Sequence, residues 1–322
     1  DLETTSPNPM LANIVGVALC PAPHESYYVP VAHRALTDSS TKQLGLSFVL
    51  DELKPIIESE EIAKIGQNLK YEIVVLQKYG ISLNGISFDT MIAAHMIDSS
   101  RNSYSLDELS KLYLGHQTIS YKDVTGTGKS KIDFDEVELE VARDYASEDA
   151  DVAMLLRNIL APQLKEINLV GVFRDIELKF IKVLAKVEMN GVNIDADKLK
   201  DLSKEFDALL KEIEKEIFTE VGYEFNLNSP LQLRKVLFET LDLPQKKQTK
   251  KGDPSTDVEV LTDLSKFHLV PEKVLEHRTL SKLKSTYVDS LPKLINPDTG
   301  RIHTSFNPVG SSTGRLSSSD PN

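Results

Sequence analysis

The sequence has one cysteine, Cys20, no run of about 18 apolar residues, and no two histidines at His-x-x-x-His spacing. A lone cysteine excludes disulfides and thiolate zinc sites within the chain. Cys20 closes the apolar run Ile14-Val15-Gly16-Val17-Ala18-Leu19-Cys20, where a small buried side chain in a strand is expected. No membrane-spanning helix is expected, and residues 1–20 lack the charged start and cleavage pattern of a signal peptide. The expected location is cytoplasmic. A phosphate loop is missing as well: in Thr125-Gly126-Thr127-Gly128-Lys129-Ser130 the glycine required five positions before Gly128 is Asp123, and no apolar strand leads in. An ordinary polar turn is expected there. Excess positive charge is also absent. The net charge of −12 argues against a simple sequence-independent DNA binder without excluding one, since one face can still carry Lys and Arg, and clustered carboxylates can gather metal ions.

What is present is enough apolar material, 40% of 322 residues, for two or more compact units. The first stretch mixes strand patterns at Ala12 to Cys20 and Tyr27 to Val31 with helical patterns at Ser47 to Ile57 and Tyr71 to Tyr79, an α/β layer signature. A helical pattern from Val137 to Leu160 follows, with Pro162 near its end. Beyond residue 170 strands become scarce. Leu199, Leu202, Phe206, Leu209, Ile213 and Ile217 form one apolar stripe over Asp195 to Val221, and Gly222 is a natural stop. Asn228-Ser229-Pro230 supplies an N-cap and a first-turn proline for a helix through Leu241. Gln245 to Thr256 is polar and lysine-rich, an expected loop. A further helix is predicted over Pro271 to Leu291, then short extended pieces around Ile302 to Phe306.

Three acidic groupings stand out. Asp1 and Glu3 lie two apart in an extended segment, so their side chains share one side of a strand. Asn68 and Glu72 stand four apart, which places them on one helical face, and Tyr145 and Asp149 repeat that spacing. Each grouping alone fits an ordinary solvated surface.

Taken in order, an acidic pair on an early strand, an Asn-x-x-x-acid helix and a Tyr-x-x-x-Asp helix resemble the DEDDy exonucleases, which have an α/β ribonuclease H-like fold. Phe88 to Asp98 (FDTMIAAHMID) and Tyr104 to Leu109 (YSLDEL) are similar to the connecting segments in the exonuclease domain of family A DNA polymerases of the DNA polymerase I type. FNLNSPLQLRKVLF, QTKKGDPST, HRTLSKLKSTYVDSLPKLINPDTGRIHTSF and the terminal TGRLSSSDPN resemble the polymerase thumb and its junction with the palm. The resemblance implies a 3′→5′ exonuclease domain over 1–165 that lacks the start of its first strand, a mainly α-helical thumb over 166–291, and a truncated palm fragment over 292–322.

It also implies two divalent metal ions, Mg²⁺ or Mn²⁺, held by Asp1, Glu3, Glu72 and Asp149, with Tyr145 orienting the nucleophile. Hard ions take oxygen ligands, which suits carboxylates without histidine or cysteine. The family usually has Asp where this chain has Glu72. DNA contacts are implied at Asn68, Lys246, Lys247, Lys250, Lys251, Arg278, Lys282, Arg315 and Asn322. Arg278 and Lys282, four apart on a helix, would make one phosphate-facing row. The implied partners are a single-stranded 3′ DNA end, a primer-template duplex and the remaining palm and fingers. The implied protein is a monomer of bacterial type, nucleoid-associated and off the membrane. The implied function is proofreading in DNA replication and repair by a segment of a DNA-directed DNA polymerase that does not itself extend a primer. Two alternatives stay open: an inactive exonuclease fold serving as a DNA-binding platform, and a stand-alone ribonuclease of the same fold.

Overall fold

The computed structural model describes residues 1–35, 42–245, 247–249 and 252–322. They form two compact units, Asp1–Gly191 with His303–Asn322, and Val192–Ile302. These boundaries differ from 165/166 and 291/292, because the helix before Gly191 and the last twenty residues both pack with the first unit.

In the first unit, strands β1 (Leu2–Thr4), β2 (Ile14–Ala22) and β3 (Glu25–Pro30) form an antiparallel sheet with β2 in the centre. Ile14 to Ala18 is buried throughout because both faces of β2 are covered. On one side Ile14 and Val17 join Leu2, Leu50, Val75 and Leu76, where helices α1 (Leu46–Glu58) and α2 (Lys70–Lys78) contribute. On the other lies helix α6 (Leu139–Glu166). A continuous apolar run is what a strand covered twice requires. A parallel pair, β4 (Lys64–Gly66) and β5 (Ile86–Asp89), leads into α3 (Thr90–Ile97), and α4 (Leu106–Tyr113) and α5 (Tyr121–Thr125) follow. In the 125–130 segment α5 ends at Thr125 and a short turn follows over Gly128–Ser130, the polar turn expected.

Helix α6 runs past Pro162 to Glu166. The backbone bond that proline removes is the one to Asn158, which is exposed. The face of α6 toward the sheet is alanine: Ala142, Ala146, Ala150 and Ala153 are all buried. Ala146 and Ala150 pack on Ala18 of β2. Small side chains on both partners let the helix lie close to the strand. After α7 (Val170–Val172) comes α8 (Leu178–Asn190), and the unit closes with the hairpin β6 (Ser305–Asn307) and β7 (Ser317–Ser319). Cys20 is half-buried rather than buried, its thiol donating to the Ala22 carbonyl at 3.1 Å, and burial pushes its pKa up to about 11.

The second unit is helical. Helix α9 (Ala196–Val221) starts at Asp195, whose carboxylate accepts the Lys198 N–H at 2.9 Å, and ends at Gly222 with φ of 87°. Only the C-terminal half of its predicted stripe is buried, at Ile213 and Ile217, while Leu209 is exposed. Ser229 and Pro230 open α10 (Pro230–Lys235) as expected, and a π-helical turn extends it to Thr240. With α11 (Val258–Leu264) and α12 (Leu269–Leu283) these helices enclose one core around Leu233, Leu237, Leu261 and Leu264.

At Gly16, opposite Glu3 in the β1–β2 ladder, an added Cβ would fall 2.1 Å from the Tyr28 hydroxyl. Tyr28 cannot swing away freely, because its hydroxyl bonds His33 Nε2 at 2.7 Å. Gly16→Ala is expected to destabilise the first unit by about 1–3 kcal/mol, the usual cost of overpacking. Thermal or urea unfolding measures this, and an unchanged midpoint would show that Tyr28 moves without cost.

Candidate functional site

Asp1 extends the ladder of β1: its carbonyl accepts the Ala18 N–H and its ammonium donates to the Ala18 carbonyl, both at 3.0 Å. That register sets Asp1 and Glu3 on the side of the sheet that α6 crosses. The close approach of α6 through Ala146 and Ala150 brings their neighbours Tyr145 and Asp149 over the same strand. Asp1, Glu3 and Asp149 each have a carboxylate oxygen within 4.8 Å of the others. Two groupings read separately from the sequence therefore meet.

Glu72 lies outside that threefold group but lines the same cleft, of about 920 Å³, together with Asn68 and Tyr145. The expectation that Asn68 and Glu72 share a helical face is corrected. Asn68 has φ of 57°, in the left-handed region, and precedes α2. Asparagine tolerates that conformation better than most residues. The turn is held by Asp89, which is fully buried; one carboxylate oxygen accepts the Leu69 N–H at 2.8 Å and the other the Ile92 N–H at 3.1 Å, capping α3.

The carboxyls are strained electrostatically. Glu3 and Glu72 are each 6% exposed. Burial, then the nearby Asp149, raises the Glu3 pKa to about 8, and burial raises Glu72 to about 7. Asp149 is pushed up to about 7, first by burial, with the Tyr145 hydroxyl opposing. The Tyr145 phenol is shifted far above its ordinary value by burial and then by Asp149, so it keeps its proton. One oxygen of Glu72 and one of Asp149 are buried with no hydrogen-bond partner. Buried polar atoms normally have one. Three convergent carboxylates, unpartnered oxygens and an all-oxygen donor set fit a hard divalent ion.

Sequence reasoning missed several cleft residues. Arg101, ion-paired to Asp98 at 3.2 Å, lines it, as do Gln67, Tyr71 and Tyr121. Tyr71 is tied to the chain after β1, its hydroxyl donating to the Ser6 carbonyl at 2.5 Å. Arg101 lies between two of the quoted strings, Tyr71 between Asn68 and Glu72, and the cleft-lining segment Asn307 to Ser312 between the last two strings, so position was the signal available for each.

The expected DNA contacts fare unevenly. Lys246, Lys250 and Lys251 lie outside the described residues. Lys247 is ion-paired to Asp257 at 2.9 Å and Glu259 at 2.6 Å. Arg278 does not point freely outward: its guanidinium donates to the Thr256 carbonyl at 2.5 Å, so the expected row with Lys282 is corrected there. Lys282 and Arg315 are exposed, and the Asn322 side chain accepts the Ser318 hydroxyl at 3.0 Å.

The family model described as 3'-5' exonuclease matches residues 1–165, and that described as DNA polymerase family A matches 196–322. The chain belongs to the 3′-5′ exonuclease family and to DNA polymerase family A. It is 42% identical to DNA polymerase I of Pseudomonas aeruginosa over 100% of this chain and 36% of that protein. It is 38% identical to DNA polymerase I of Borreliella burgdorferi over 100% of this chain and 34% of that one. The chain thus spans about a third of the length of these polymerases. A solved structure described as the POL domain of Pol1 from M. smegmatis in complex with DNA primer-template and dNTP is 28% identical, with a TM-score of 0.77, over 97% of this chain and 49% of that one. Among the described residues no helix is long and apolar enough to cross a membrane.

The raised carboxyl pKa values fix a pH dependence. Glu3, Glu72 and Asp149 keep protons in the folded protein at a pH where the unfolded chain has released them, so folding takes up protons. Their contribution to stability is complete below about pH 4 and is lost as pH rises through 7 to 8. In chelator, the thermal midpoint should fall between about pH 5 and 9, and Asp149→Asn should flatten the fall. Added Mn²⁺ should raise the midpoint more at the upper end, because ligation needs deprotonated carboxylates. A flat chelated profile would contradict the assigned burial.

Proposed function

We propose that the chain removes nucleotides from a single-stranded 3′ DNA end, hydrolysing the terminal phosphodiester to give 5′ monophosphates. The observation that carries this reading is the convergence of Asp1, Glu3 and Asp149 beside buried, unpartnered oxygens of Glu72 and Asp149. In this proposal Asp1, Glu3 and Asp149 hold divalent metal, Mg²⁺ or Mn²⁺, and Glu72 supports it. Two such ions, when bound, supply Lewis acidity at the scissile phosphate. The protein's own groups do the rest. Tyr145, which keeps its proton, donates a hydrogen bond and orients the attacking water rather than removing its proton. Asn68, held in its left-handed turn, presents an amide to the substrate strand. Arg101, although ion-paired to Asp98, lines the cleft wall, and its guanidinium would contact a phosphate in competition with that carboxylate.

For the second unit we propose duplex DNA binding, in the manner of a polymerase thumb, with Arg315 and Asn322 of the first unit near the primer end. The support is the family match over 196–322 and the similarity to a Pol1 structure that contains primer-template. The remaining palm and fingers would be the working partner, and the role would be proofreading during DNA replication and repair. Lys282 is the exposed cation of α12 to examine. Lys282→Ala should weaken duplex binding and lower the salt slope by about one. Arg278→Ala should instead act mainly by loosening the 256 loop. Binding titrations at several salt concentrations separate the two, and a slope unchanged by Lys282→Ala removes that residue from the interface.

A second reading, an inactive fold used as a DNA-binding platform, is favoured by the position of Glu72 outside the threefold carboxylate group. Digestion of end-labelled single-stranded DNA with Mg²⁺ or Mn²⁺ decides between them. The natural protein should cleave, and Asp149→Ala should lower the rate by about a hundredfold or more, the scale set by lost positioning. No cleavage by the natural protein, with gain on Glu72→Asp, would establish the platform instead.

A further inference from the structure

We propose that the buried ion pair between Lys70 and Glu188 is a positioning device for the nuclease cleft, tying the helix that carries Glu72 to strand β6. The proposal rests on the exonuclease reading above.

Lys70 and Glu188 are 8% and 4% exposed, and their charged atoms lie 2.5 Å apart. The ammonium also donates to the Phe306 carbonyl at 2.5 Å and to the Ser305 hydroxyl at 3.4 Å, so each of its three protons has an acceptor. The same Glu188 oxygen accepts the Phe306 N–H at 2.6 Å, and the Glu188 carbonyl accepts from His303 Nδ1 at 2.7 Å. One buried node therefore joins α2, α8 and β6.

Helix stability does not explain it. Lys70 is the first residue of α2, where a cation opposes the helix dipole, and burial adds a desolvation cost. A well-packed apolar pair is often as stable as a buried ion pair or more so. What the ion pair adds is direction and distance. Glu72 stands two residues beyond Lys70 on α2, and the chain just past Phe306 forms a wall of the same cleft. That wall is pinned further along, where His95 Nε2 meets the Ser311 carbonyl at 3.2 Å. The node thus fixes the spacing between a proposed metal-supporting carboxylate and the opposing wall, which a strand of DNA would have to fit.

The test compares the natural protein with Lys70→Met and with the double variant Lys70→Met/Glu188→Gln, in single-stranded DNA digestion, thermal unfolding and hydrogen exchange. Lys70→Met alone strands a buried carboxylate and should lower the thermal midpoint; removing both charges should restore it. In the double variant kcat should remain down by about tenfold or more, with KM within about twofold, as expected for lost alignment. Exchange over 68–72 and 303–312 should be faster. Recovery of both the thermal midpoint and kcat in the double variant would show a purely structural pair and overturn the proposal. If the natural protein does not cleave, the exonuclease reading falls by itself. The tie is then judged by exchange, where faster exchange in the double variant supports it and unchanged exchange overturns it.

Discussion

The first unit depends on how closely α6 lies on β2. Ala18 on the strand and Ala146 and Ala150 on the helix leave little between the two backbones. Side chains next to the alanines must then project along the seam rather than into it, and these are Tyr145 and Asp149. A larger residue at Ala146 would lift the helix and separate Asp149 from Glu3, although it touches neither carboxylate. The geometry of the acidic group is thus set by apolar packing. The acids themselves oppose the arrangement, since burial raises the pKa values of Glu3, Glu72 and Asp149 together. Such a cluster persists because the alanine seam, Gly16 and the Asp89 carboxylate hold its supports in place, in the way strained functional sites are held by the structure around them.

Much of this was legible in the sequence where local chemistry decides. Gly222, Ser229 and Pro230 mark helix ends by capping and backbone rules that need no tertiary context, and the structure uses each as expected. The Tyr145 and Asp149 spacing also held, because both lie inside one long helix. Asn68 and Glu72 did not, since a four-residue spacing implies a shared face only if both residues are helical, and the Asp89 carboxylate starts the helix later. Asp89 is twenty residues from Leu69 in sequence, so no local pattern could announce it. The stripe on α9 failed in part for a related reason: periodicity reports which face is apolar, not how much of its length finds a partner.

The cations show the same limit from the other side. Arg278 and Lys282 lie four apart on α12, yet one guanidinium is engaged by the Thr256 backbone while the neighbouring ammonium is exposed. Spacing along a helix says which residues share a face and nothing about which of them a loop will reach. Lys247 differs again, because paired carboxylates already neutralise it. A phosphate would have to compete with Asp257 and Glu259 there, whereas among the described residues no carboxylate is paired with Lys282.

The compact units also cut across the division that the sequence comparisons draw. The polymerase family match begins at residue 196 and runs to 322, but its last twenty residues pack with the nuclease unit and line the acidic cleft. A nuclease domain cut at residue 165 would lose α8 and β6, leaving Lys70 without Glu188, Ser305 or Phe306. A cation at the start of α2 would then face the helix dipole with no compensating charge. The node makes physical sense only if His303–Asn322, the end of the polymerase-family segment, folds within the first unit. On that ground the acidic cleft of this chain is a joint product of both segments, with its acids on one and part of its wall on the other.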